Sequence, residues 1–97
     1  MDLNEVREAI NRLDRKVAEI IAKRLDLTIH VFNGKKSAGL PTINLEREKQ
    51  VKDSMYNDLK SLGYDDRKFS DSLSELIIKK ATKIQEEMKK EIKTNNP

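Results

Sequence analysis

Ninety-seven residues make one small domain, and a domain of that size buries only a modest share of its surface, so a helical chain this short is expected to complete its core against a partner. Hydrophobic residues are 36% and charged residues 38%, with three glycines, two prolines and no tryptophan; this predicts long solvated helices, an all-α class, and argues against a sheet protein or a disordered tail. Twenty basic residues stand against 17 acidic ones, interspersed along the chain, and a net charge of +3 is too small and too scattered for a nucleic-acid surface, though it suits a small anionic ligand.

Without cysteine there is no disulfide framework, thiolate nucleophile or cysteine zinc site, and the single histidine, His30, makes a histidine metal site improbable. The N-terminus opens directly on a charged amphipathic pattern, with no apolar signal region and no run of about 18 apolar residues. A cytoplasmic location, away from membranes, is therefore expected.

In chain order, the first pattern begins at Leu3 and continues through Val6, Ile10, Leu13, Val17, Ile20, Leu27 and Val31, a 3-4 spacing that lays one stripe along a helix. Arg24 is the position that interrupts it. The helix is predicted to reach about Ala38, a rod of roughly 50 Å that must pack against another chain. Asn33-Gly34 is a weak point in helix propensity near its end, and Gly39-Leu40-Pro41 stops it. Asn44 is a good N-cap for a second helix with the stripe Val51, Met55, Leu59 and Leu62, closed by Gly63. One turn before that stripe lies Glu48. Asp65 or Asp66 can cap a third helix with Phe69, Leu73, Leu76, Ile77, Ala81, Ile84 and Met88 on its buried side. The chain reads as one domain over 1–97, its core spanning about 3–90 and its tail 91–97 expected to fray.

Polar groups on apolar faces carry the functional information, because a buried charge is costly unless it meets a partner or an ionic ligand. Lys35 follows Arg24 by eleven residues, close to three full turns, so the two cations lie within roughly 20° of one face and can grip one anion together. Arg7 is about 25 Å further along the rod and about 100° around it, so it cannot join them within one chain but can from the second subunit of an antiparallel dimer. Asn44 and Glu48 are one turn apart with Arg47 beside them, and so are Ala81 and Gln85 on the third helix. Converged, these faces make a pocket of several cations, one carboxylate and one amide. The plainer reading remains open for each: Arg24 as a structural ion pair with Glu48 or Asp14, and Lys35, Arg47 and Arg7 as ordinary solvated positions.

Taken together, the segments VREAINRLDRKVAEIIAKR, GLPTINLEREKQV and LIIKKATKIQ resemble the small all-helical chorismate mutases from about Leu3 to Met88. The order and spacing of Arg7 with Ile10 and Asp14, then Arg24, Lys35, Pro41, Arg47-Glu48 and Gln85 carry the likeness. It implies an intertwined homodimer of three-helix chains and a Claisen rearrangement of the dianion chorismate to prephenate, in aromatic amino acid biosynthesis, with no cofactor or metal. Arg24 and the second subunit's Arg7 would hold the two carboxylates. Lys35 would contact one carboxylate and the ether oxygen, Gln85 would donate to that oxygen, Glu48 would accept from the ring hydroxyl, Asn44 would position it through its backbone, and Arg47 would support the anionic pocket.

The chain departs from the pattern in places. Many relatives carry a serine where Ala81 stands, which removes one substrate hydrogen bond; Asn44 replaces a common aspartate yet keeps the N-cap; Lys79 and Lys80 replace residues that are often acidic; and Val31-Phe32-Asn33-Gly34 is unusual enough to predict helix distortion just before Lys35. Isochorismate-pyruvate lyases share the fold and the cationic pocket, but they carry a different loop before the second helix and a tryptophan-bearing end to the third. A non-catalytic helical interaction module on the same fold predicts unrelated residues at the pocket positions. A non-covalent complex with another shikimate-pathway enzyme is compatible with the sequence.

Overall fold

The computed structural model describes residues 1–95, and it is helical throughout apart from its turns, with no strand among the described residues. Helix α1 spans Leu3–Asp26 and α2 Thr28–Ala38; α3 spans Leu45–Ser61 and α4 Arg67–Asn95. The first two form one rod with an irregular turn at Leu27, whose carbonyl accepts from both His30 (3.0 Å) and Val31 (3.2 Å). The expected three helices are thus present as three rods. Of the tail 91–97, where fraying was expected, 91–95 form the end of α4, and 96–97 lie outside the described residues.

Each rod starts and stops where side chains satisfy its end groups. Asp2 Oδ1 accepts from the Glu5 N–H (2.8 Å), Asn44 Oδ1 from Arg47 (3.1 Å) and Asp66 Oδ1 from Phe69 (3.0 Å). Of the two aspartates offered by the sequence, Asp66 caps α4. Gly39 closes α2 at φ 68°, in the left-handed region where a side chain is strained, and the Leu40 N–H returns to the Lys35 carbonyl at 2.8 Å.

Helix distortion is found at Leu27 and not in the Val31–Gly34 stretch, which is regular helix. Phe32 explains the difference. It is the buried hydrophobic residue of the described chain, 8% exposed, on the segment that packs against α4. Burying a phenylalanine is worth about 1.5–3 kcal/mol, more than the roughly 1 kcal/mol that a helical glycine forfeits.

α3 and α4 form an antiparallel hairpin held by polar contacts. Lys52 pairs with Glu75 (2.9 Å), and Arg67 pairs with Asp53 (2.6 Å) and Asp71 (3.0 Å). The Tyr56 hydroxyl donates to Asp65 (2.7 Å), with the Arg67 guanidinium 4.9 Å from its ring centre. The hydrogen bond from Arg67 holds the Asp53 carboxyl below its ordinary range, and Lys52 does the same for Glu75. Both contributions are complete at neutral pH and fade as pH falls through the carboxylate range.

The inner face of α4 differs from the expected apolar stripe. Ser70 and Ser74 are fully buried, their hydroxyls turned back to the carbonyls of Arg67 (3.1 Å) and Ser70 (2.9 Å), whereas Phe69 and Leu76 are exposed. Leu73, Ile77, Ala81, Ile84 and Met88 are half-buried as the pattern implied. Small side chains that satisfy themselves locally let two helix backbones approach where leucine would hold them apart.

The rod formed by α1 and α2 is the anomaly. No residue of α1 is buried, and its stripe lies open, with Leu13 58% and Ile20 66% exposed. The chain measures 62 × 26 × 17 Å, with a radius of gyration of 17.3 Å against about 12.5 Å for a compact domain of this length. Its accessible surface is 8009 Å², where a compact monomer of 11.2 kDa exposes about 5,700 Å².

The α3–α4 packing is tested by Ser74→Leu, which is expected to lower stability by about 1–3 kcal/mol in urea unfolding followed by circular dichroism. Ser72→Leu, on the exposed side of the same helix, should stay within about 0.5 kcal/mol of the parent. Equal effects would mean that Ser74 is not the point of close approach.

Candidate active site

A cleft of about 280 Å³ opens between the α1–α2 junction, the 39–44 turn, the start of α3 and the middle of α4. Seven of the eight site residues expected from the sequence line it: Arg24, Lys35, Asn44, Arg47, Glu48, Ala81 and Gln85. Arg7, near the exposed N-terminal end of the rod, does not. The helical arithmetic that set Arg24 and Lys35 on one face, and Arg7 away from them, agrees with these positions.

The turn joining α2 to α3 shapes one wall. Lys35 lies in the last turn of α2, and its Nζ donates to the Thr42 carbonyl, which ties the turn to the rod and leaves two of the three ammonium hydrogens for a ligand. Asn44 caps α3 with its side chain, so the N-terminal end of that helix, with its positive dipole, borders the cleft. Arg47 follows in the first turn and reaches Gln50 Oε1 with Nη1 (3.3 Å).

Three cations line the cleft against one carboxylate, Glu48. No ion pair joins Arg24 to Glu48 or Asp14 among the described residues, which removes the structural pairing as an account of the stripe's one charge. Arg24 is exposed, its guanidinium free to meet an anion. Such an arrangement binds a small polyanion: a lysine and two arginines supply charge, and a helix N-terminus adds oriented N–H groups.

Gln85 closes the cleft floor from α4. It is 5% exposed; its Nε2 reaches the Ala81 carbonyl at 3.5 Å, and its Oε1 has no partner. A buried amide oxygen left so forfeits about 1–3 kcal/mol, a cost that evolution tolerates where a ligand or a neighbour repays it on binding.

The sequence reading missed the rest of the lining. Leu27, Val31, Val51 and Ile78 make the apolar wall, and Thr28, Thr42 and Thr82 add hydroxyls. A signal was present for some of them. Thr28, Val31 and Lys35 follow Arg24 at intervals of four, seven and eleven, the same helix face, and Thr82 and Gln85 follow Ile78 at intervals of four and seven. No group of three or more residues able to hold a metal occurs among the described residues, and none of their helices is long and apolar enough to cross a membrane.

The Asn44 cap is tested separately from ligand binding. Asn44→Ala should cost about 1 kcal/mol in urea unfolding, while Asn44→Asp keeps the cap and stays near the parent. A matching loss in both variants would show that the side-chain oxygen does not hold this helix end.

Comparison with known proteins returns one family. No curated protein and no solved structure matches the chain. The family model of chorismate mutase type II matches residues 6–86, a span that begins on the α1 stripe, takes in the whole cleft and ends just past Gln85. The chain belongs to the chorismate mutase type II family.

Proposed function

We propose that this chain is a chorismate mutase, an isomerase that converts chorismate to prephenate in the cytoplasm as a step of phenylalanine and tyrosine synthesis. The observation that carries the reading is the gathering of Arg24, Lys35, Arg47, Glu48 and Gln85, from three helical rods, around one cationic cleft. Family membership supports the reaction class.

The rearrangement breaks the ether C–O bond of chorismate as a C–C bond forms, within one molecule. It calls for no nucleophile and no redox step. The protein's task is to hold the compact diaxial conformer and to stabilise negative charge growing on the ether oxygen. Arg24 binds a carboxylate. Lys35, already positioned by Thr42, bridges the second carboxylate and the ether oxygen. Gln85 donates through Nε2 to the same oxygen; its contact and that of Lys35 strengthen as charge develops, so they act on rate more than on binding. Glu48 accepts from the ring hydroxyl, Asn44 holds the backbone of the α3 end beside it, and Arg47 supports the anionic pocket. Ala81 contributes only its methyl surface.

The working unit in this proposal is an intertwined homodimer in which Arg7 of each chain reaches the cleft of the other. The open stripe of α1 supports it, as does an accessible surface about 2,300 Å² above that of a compact monomer, an excess in the range that permanent dimers bury. Arg7 lies one turn from Leu3 and one turn from Ile10, at the border of that stripe, where a second chain covering the stripe brings it against a neighbour.

The test follows chorismate loss by absorbance and identifies the product by chromatography. Prephenate is expected, with kcat lowered by on the order of 10²-fold in Lys35→Ala and in Gln85→Ala. Salicylate and pyruvate from isochorismate would assign the lyase reaction instead. No turnover of either compound would leave a binding module on this fold.

A further inference from the structure

A lysine ammonium is poorly located by its own side chain, since a flexible four-carbon stem and three rotating N–H groups leave both its place and its donor directions open. Lys35 is an exception. Its Nζ donates to the carbonyl of Thr42, seven residues on, and the side chain is half-buried. Arg24 is exposed, and Arg47 meets only Gln50 of its own helix. Of the three cleft cations, Lys35 is the one held by a main-chain group among the described residues.

The same turn also holds the other end of this residue. The Gly39 N–H donates to the carbonyls of Lys35 and Lys36, and the Leu40 N–H reaches the Lys35 carbonyl at 2.8 Å. Those backbone bonds belong to stopping a helix, whose last carbonyls need donors. The bond from Nζ does not, because a lysine in the last turn can satisfy itself in water. Gly39, at φ 68° and ψ 29°, reverses the chain so that Thr42 returns alongside the end of α2, and the Asn44 cap fixes where the turn ends. Lys35, Thr42 and Asn44 all line the cleft.

We propose that the 39–44 turn is a positioning device for the Lys35 ammonium: the left-handed Gly39 places the Thr42 carbonyl, and that carbonyl takes one ammonium hydrogen so that the other two are directed at the ligand. Gly39 and Thr42 are then positioning residues that act on the reaction through Lys35. This rests on the reading of the cleft as a chorismate site and deepens it, by making the helix stop part of the preorganised charge. Ordering the ammonium before the ligand arrives removes that ordering from the binding and reaction steps.

Replacing the Thr42–Ile43 amide by an ester, through semisynthesis, weakens the carbonyl as an acceptor and leaves every side chain in place. The Ile43 N–H that is lost makes no hydrogen bond among the described residues. The ester protein is expected to lose about tenfold in kcat with KM within about twofold. On a Lys35→Ala background the ester should change kcat no further, because carbonyl and ammonium act as one unit. Gly39→Ala should also lower kcat: a Cβ there meets nothing within 4 Å, so the change acts through backbone strain alone, and Gly39→Asn, which tolerates the left-handed region, should recover most of the loss. Parent-like kcat in the ester protein, or an equal factor on both backgrounds, would overturn the proposal. ¹⁵N relaxation of the Lys35 ammonium in the free protein gives a readout apart from activity. The group is expected to be restrained in the parent and mobile in the ester protein, and equal mobility in the two would also overturn the proposal. A parent that turns over no chorismate while this difference persists would support the hold of the turn on Lys35 and sink the mutase reading.

Discussion

The α1–α2 rod is too long for the rest of its own chain to cover. Residues 3–38, rising 1.5 Å each, give roughly 54 Å, and the α3–α4 hairpin meets the rod at its α2 end, where Phe32 is buried, as well as on α1. The apolar residues of α1, from Leu3 to Ile20, are left on the surface in a continuous stripe. Scattered exposed leucines need no explanation, but a periodic stripe along a whole helix does. Everything distinctive about the molecule follows from that uncovered length: the elongated shape, the small internal core, and a cleft made partly from the rod.

The cleft inherits its chemistry from how the rods meet. Arg24 and Lys35 project from a rod that does not offer them acidic partners, and the α3 helix presents its N-terminal end, so positive potential accumulates on one side with Glu48 as the sole carboxylate in the lining. Like charges gathered this way repel, and a bound dianion relieves the repulsion. Rigidity comes from elsewhere: the Lys35–Thr42 contact, the Asn44 cap and the α3–α4 clasp around Arg67 and Tyr56 fix the frame on which the cations sit. A rearrangement within one molecule suits such a frame, since preorganised charge and shape are all that it asks of the protein.

Much of this was legible in the residues, for identifiable reasons. Helix ends could be located because Asn44, Asp66, Gly39 and Gly63 act within one turn of themselves. Arg24 and Lys35 could be placed on one face because helical geometry converts spacing into angle over short distances. What escaped depends on contacts between rods. Ser70 and Ser74 are the fully buried residues of α4, where hydrophobic patterning favours Phe69 and Leu76; those two remain exposed. The irregular turn at Leu27 was expected later, at Asn33-Gly34, since local propensity cannot register the burial of Phe32.

The central claim is that two chains complete each other's clefts, and subunit mixing tests it most directly. Arg7→Ala and Arg24→Ala homodimers should each be nearly inactive toward chorismate. After confirmed exchange of equal amounts, half of the dimers are mixed and each mixed dimer holds one cleft with both arginines, so activity should return to about one quarter of the parent's. Active parent protein, verified exchange and no recovery would contradict the shared site.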